Sequence, residues 1–503
     1  MTEDQAQNNE SIQAEPVKPP EDELVVTKHT ITIDGQEIPY TVTCGTLVIK
    51  EEAVKEGEEQ GESEGEKSKA SIFFIAYTRD DVEETASRPI TFSFNGGPGS
   101  SSVWLHLGVL GPRRVLMDED GNSLPPPYQL VDNDFSLLDI TDLVFIDPVS
   151  TGYSRVVPGE KADQFHGFKK DIESVGDFIR LYTSRYQRWN SPKFLIGESY
   201  GTTRAAGLSG YLQVRHGMYL NGLMLVSSIL NFQADYFDLG NDLPFALFLP
   251  TYAATAWYHK QLPEELQALD LKDLVAEVES FSRAEYTLAL MQGASLSEER
   301  RKEITDKLAN YTGLSSNYIE RADLRVAIMR FTKELLRTER RTVGRLDSRF
   351  TGIDRDSVGE EFEHDPSLSI IMGPYTACFN QYVRSDLNFE SDLPYEIISL
   401  RVRPWSYAEH ENRYVNVSET LRKSMSTNPF MKVFVANGYY DLATPYFATE
   451  YTFNHLGLDP SLKVNISMGY YEAGHMMYIH LPSLQKMKAD LSEFIRSALP
   501  ERK

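Results

Sequence analysis

Six short, largely apolar runs constrain this chain more than any other feature: Ile90 to Phe94, Leu143 to Ile146, Phe194 to Ile196, Leu223 to Val226, Val433 to Ala436 and Val464 to Met468. They are separated by turns or helical stretches, of which Asp171 to Tyr186 is a good amphipathic helix. A strand that reads apolar on both faces is covered on both faces, as in a mostly parallel sheet sandwiched by helices. The expected fold class is therefore α/β.

The runs stop between about 231 and 389, where the pattern turns helical over Pro263 to Leu290, Ser295 to Tyr311 and Tyr318 to Arg340. Ser295 and Glu298 have the spacing of a capping box before the middle segment. The interval is expected to be a helical cap, inserted between a first core part over 28–230 and a second over 390–503. Before the first run, His29 to Lys50 alternates in polarity with Asp34-Gly35 inside it, a hairpin signal, and Ser71 to Tyr77 continues the pattern. An antiparallel edge should thus precede the parallel sheet.

The formal charge of -24 argues against nucleic acid and anionic membrane surfaces, which both select clustered Lys and Arg. Much of it is local. Residues 1–24 carry seven acids against one Lys, and residues 51–69 carry eight acids against three. The first suggests a disordered acidic tail over 1–27, the second a solvated loop over 51–69. Two cysteines, Cys44 and Cys378, are too few for a disulfide framework. With no signal-like leader and no apolar stretch of membrane-spanning length, the expected location is the cytoplasm. Oligomeric state is not readable.

The third run ends in Gly197-Glu198-Ser199-Tyr200-Gly201. A buried strand breaking into a helix at such a pattern holds the serine on a sharp, exposed elbow, where a nucleophile belongs. The first run ends in Asn95-Gly96-Gly97-Pro98-Gly99, whose glycines free backbone N–H groups to face an anion; no Gly-Lys-Ser/Thr follows to make it a phosphate loop. Asp441 lies just past the fifth run and His475 just past the sixth. Serine needs a base, and a neutral imidazole needs a carboxylate to fix its tautomer. The order Ser199, Asp441, His475 is that of α/β-hydrolase triads.

Four blocks together resemble the serine carboxypeptidase family: Asn95 to Gly99 with Ser101-Ser102, Asp147-Pro148-Val149-Ser150-Thr151-Gly152-Tyr153-Ser154, Gly197 to Gly201, and Asn437-Gly438 to Asp441 with Gly474-His475-Met476. The resemblance runs from about residue 70 to the end. It implies an α/β-hydrolase fold with a cap and a catalytic triad of Ser199, Asp441 and His475. It further implies an oxyanion hole of the Gly97 and Tyr200 N–H groups, and a site for the substrate's C-terminal carboxylate formed by Asn95, Gly96 and Glu198. Met476 should line the pocket for the leaving residue. The implied activity is removal of C-terminal residues from peptides through an acyl-enzyme, with no cofactor and no metal. Because a glutamate can donate to a carboxylate only when protonated, acid pH should favour the reaction.

Three positions depart from the family pattern: Ser93 replaces a Trp, Ser100 a Cys, and Val109 an acid just before Leu110-Gly111-Pro112. Val109 leaves Glu198 without a like-charged partner and keeps open an esterase or acyltransferase using the same triad. Arg345 and Arg349 are expected either as surface arginines or as an anion site.

Overall fold

The computed structural model describes residues 20–54 and 62–500. Its main sheet contains β1 (Glu23–Ile33), β2 (Gln36–Val54), β3 (Ser63–Arg79), β4 (Ile90–Phe94), β5 (Asp142–Ile146), β6 (Lys193–Ser199), β7 (Gly222–Ser228), β8 (Lys432–Gly438) and β9 (Ile466–Tyr471). Their spatial order is β1-β2-β3-β5-β4-β6-β7-β8-β9. The first three are antiparallel, β3 meets β5 antiparallel, and every pairing from β5 to β9 is parallel.

Period-two alternation explains why the runs are apolar throughout. Phe194, Ile196, Met224, Val226, Phe434 and Ala436 belong to the apolar cluster on one face, and Leu195, Leu223, Leu225, Val433 and Val435 to that on the other. The second face is covered by α1 (Phe168–Arg185) and α2 (Tyr200–His216).

The cap contains α3 (Leu243–Tyr258), α4 (Leu271–Phe281) and α5 (Glu298–Thr312), which share a separate apolar cluster. Two later helices return to the sheet: α6 (Pro366–Ser385) and α7 (Leu481–Ser497) bury Tyr375, Phe379, Leu484 and Leu491 in the cluster of the first face. So α6, inside the interval expected as cap, packs with the core. Both cysteines are buried free thiols. Among the described residues, no helix is long and apolar enough to cross a membrane.

Several boundaries differ from the sequence reading. The expected tail over 1–27 lies partly outside the described residues, but β1 has begun by Glu23, paired with Thr46. The expected loop over 51–69 is largely strand: Glu51 pairs with Lys67 and Ala53 with Gly65, and residues 55–61 lie outside the described ones. Cross-strand placement of Lys50 and Glu66 at 3.7 Å shows that charge, not apolar alternation, dresses this ribbon. The last strand starts at Ile466, because Pro460–Asn465 forms a 3₁₀ turn with Val464 exposed. Ser297, not Ser295, caps α5 by accepting the Arg300 N–H.

Candidate active site

The elbow is a property of its backbone. Ser199 ends β6 and precedes α2 with φ +60° and ψ -130°, a conformation disfavoured for a residue with a side chain. Close packing sustains it: a Cβ on Gly197 would lie 2.2 Å from the Gly201 carbonyl oxygen, and one on Gly96 would lie 2.5 Å from the Tyr200 nitrogen. The second contact presses the Asn95–Gly99 loop onto the start of α2. There the Tyr200 N–H, at the first helical position, has no intrahelical acceptor. Gly97 takes φ +104° in the same loop.

Asp441 is fully buried. Its Oδ1 accepts the N–H groups of Ala443 at 2.8 Å and Thr444 at 3.0 Å, and Oδ2 accepts the Thr444 hydroxyl at 2.8 Å. The same Oδ2 meets His475 Nδ1 at 2.7 Å. A carboxylate so held orients the imidazole and fixes which nitrogen carries hydrogen. Burial pulls the His475 pKa down, but the charge and hydrogen bond of Asp441, with Glu198 adding, leave it above the ordinary 6.5. The other bonds of His475 run to Thr444, Ser227 and Leu346, and none reaches Ser199 Oγ among the described residues. Such contacts are often loose before substrate binds.

Beside the serine, Glu198 is only 3% exposed. Its Oε1 accepts from Asn95 Nδ2 at 3.0 Å and its Oε2 from the Tyr478 hydroxyl at 2.5 Å. Burial pushes its carboxyl up to about 7; Asp441 adds to the rise, while His475, Tyr478 and Asn95 oppose it. Asn95 is itself locked, with Oδ1 accepting the Leu105 N–H and its carbonyl accepting from Arg204, which is paired with Asp171 at 2.8 Å. Asp147, buried in the second sequence block, accepts the Ser102 N–H at 2.8 Å and so ties down the glycine-rich loop. Met476 is buried in the apolar cluster of the first sheet face, and Val109 is fully buried in the same cluster.

The expectation is corrected for Arg349. Arg349 is neither a surface residue nor free for an anion: it is buried and closes on Asp347, with Nη2 to Oδ2 at 2.7 Å. Arg345 is partly exposed, 3.9 Å from Asp365. Their loop clasps both C-terminal site loops. The Leu442 N–H donates to the Arg345 carbonyl at 3.1 Å, the Ser348 N–H to that of Tyr440 at 3.0 Å, and the His475 N–H to that of Leu346 at 2.6 Å. Sequence reasoning missed this clasp, and also Ser227, whose hydroxyl donates to the His475 carbonyl at 2.7 Å from a residue at φ +51°. The Gly-Arg-Leu-Asp-Ser-Arg run at 344–349 was the only signal for the first, and nothing marked the second.

The family model for serine carboxypeptidases, the S10 peptidases, matches residues 61–478. The chain belongs to the serine carboxypeptidase family. Among serine carboxypeptidases and their relatives, "Serine carboxypeptidase-like 5" of Arabidopsis thaliana is 27% identical over 194 residues, covering 36% of this chain and 41% of that protein. "Pheromone-processing carboxypeptidase KEX1" of Saccharomyces cerevisiae is 33% identical over 145 residues, covering 27% of this chain and 18% of that one. The matches therefore span less than half of each relative's length. The crystal structure of the yeast prohormone-processing carboxypeptidase Kex1 superposes with a TM-score of 0.54 at 15% identity, covering 90% of this chain and 91% of that one, and shares the fold.

Proposed function

We propose that the chain is a serine-type carboxypeptidase that hydrolyses the C-terminal bond of peptides. The observation that carries this reading is Glu198, buried beside the elbow serine and held by Asn95 at 3.0 Å. A protonatable carboxyl at that point suits a free C-terminal carboxylate, which a permanently charged one would repel.

In the proposed reaction, His475 removes the Ser199 proton as Oγ attacks the scissile carbonyl, and Asp441 stabilises the imidazolium. The Gly97 and Tyr200 N–H groups receive the developing oxyanion, each donor contributing about 3–4 kcal/mol. His475 then gives its proton to the leaving amine, which departs as an amino acid past Met476 with its carboxylate against Asn95, the Gly96 N–H and Glu198. Water, activated by the same imidazole, hydrolyses the acyl-enzyme. No metal or cofactor takes part in these steps.

The test is a serine-directed fluorophosphonate together with two substrates, an N-blocked dipeptide and its C-terminal amide. Labelling of Ser199 and preference for the free acid are expected, both lost in Ser199→Ala. An esterase or acyltransferase would instead turn over blocked amino-acid esters and ignore the free acid; the apolar Val109, where the family pattern has an acid, is what favours that second reading.

A further inference from the structure

Tyr478 reaches Glu198 from the turn that follows His475. Its hydroxyl lies 2.5 Å from Oε2, and both side chains are almost wholly buried. The ring is seated on Gly108, where an added Cβ would fall 2.3 Å from Cε2 and 2.6 Å from Cδ2. The next residue is Val109, fully buried and unable to offer a proton. The glutamate thus receives from a phenol.

We propose that Tyr478 is the positioning residue of the carboxylate site, a permanent hydrogen-bond donor that holds Glu198 Oε2 and leaves this glutamate as the site's single titrating acid. The inference rests on the reading of Glu198 as the group that meets the substrate's C-terminal carboxylate.

Two neighbouring carboxyl groups share a proton and titrate as a coupled pair, so the partner of each changes from donor to acceptor with pH. A phenol does not. Burial, with the charge of Glu198 next, holds the Tyr478 hydroxyl well above its ordinary 10, so it donates throughout the working range. The other groups facing Glu198 are His475 and Asp441 from the loops after β9 and β8, and Tyr375 from α6. Tyr375 is also kept protonated by burial. A donor to the charged form lowers a carboxyl's pKa, so Tyr478 limits how far burial raises Glu198. Gly108 is then the space that admits the ring, and a cavity of about 340 Å³ bordered by Gly108, Arg114, Tyr375 and Tyr478 gives the ring somewhere to go when displaced.

The test is the pH profile of kcat/KM for an N-blocked dipeptide with a free C-terminus and for an N-blocked amino-acid methyl ester, whose leaving group carries no carboxylate. Wild-type enzyme should lose activity on the dipeptide along a one-proton alkaline limb. Tyr478→Phe should move that limb upward by about one pH unit, while the ester profile, with no carboxylate to receive, still shows no alkaline limb. Gly108→Ala, which pushes the ring aside, should do the same, and it decides the matter if Tyr478→Phe does not fold. Coincident limbs in wild type and a folded variant, or a two-proton limb in wild type, overturn the role of Tyr478. Glu198→Gln separates the two layers: if the alkaline limb survives in it, the assignment of Glu198 itself fails. If the limb disappears there but is unmoved by Tyr478→Phe and Gly108→Ala, only the inference about Tyr478 fails.

Discussion

Asp347 Oδ2 accepts the Gly474 N–H at 2.9 Å, so a carboxylate from the inserted segment fixes the residue immediately before His475. The carboxylate is in turn locked by Arg349, and the pair is buried. A Cβ on Gly474 would sit 2.4 Å from the Asp347 Cβ, which leaves no room for slippage.

Removing that carboxylate should be felt twice. Asp347→Ala leaves Arg349 buried without its partner, with a stability loss of about 3–5 kcal/mol expected from thermal or urea melts. Asp347→Asn keeps the volume but loosens the His475 loop, and kcat should fall by about a hundredfold with KM little changed. Unaltered kcat in a folded Asp347→Asn would show that the clasp does not position His475.

Asp441→Asn should lower kcat on the order of ten-thousandfold, the scale known from a serine protease triad, because an amide favours the wrong imidazole tautomer. Thr444→Val removes one of several donors to Asp441 and should cost kcat far less, within about tenfold. Equal losses in the two variants would contradict this division of labour.

The pH dependence follows from which protonation states work. His475 must be neutral, and its pKa is raised above 6.5, so activity on any substrate should fall as pH drops through that raised value. Glu198 must be protonated to receive a carboxylate, and its pKa is about 7, so activity on free-acid peptides should also fall as pH rises through neutrality. The peptide profile should therefore be bell-shaped, with its alkaline limb set by Glu198, while ester hydrolysis rises to a plateau. Full peptide activity well below pH 6.5 would contradict the assignment of His475, and the lack of an alkaline limb on peptides would contradict that of Glu198.

Ser227 separates strain from function. Its positive φ favours glycine, while its hydroxyl holds the His475 carbonyl at 2.7 Å. Ser227→Gly should retain more stability than Ser227→Ala, and both should lose kcat to a similar degree. Comparison of melts with kcat for the two variants tests this directly.

What the chain's own order of residues made legible was whatever depends on near neighbours. Asp34-Gly35 announced its hairpin and indeed takes φ of +50° and +78° between β1 and β2. The apolar runs announced the parallel strands, because burial on both faces writes itself into consecutive positions. Helix α3 was not announced, since it is apolar almost all round and carries no periodic stripe to read. Tyr478, Asp347 and Ser227 escaped for another reason. Their partners lie 280, 127 and 248 residues away, and a tyrosine, an aspartate and a serine at such sites look like any others until the fold brings the partners in.

The clasp at 344–349 bears on any attempt to re-engineer specificity by exchanging caps between related enzymes. Three main-chain bonds and one carboxylate bond run from that loop into the segments around Asp441 and His475. A chimera cut at the outer ends of the insertion discards those bonds along with the cap helices. Splice points placed on either side of the loop, with residues 344–349 kept from the recipient, would let the cap helices be traded while the bond network around the imidazole stays native.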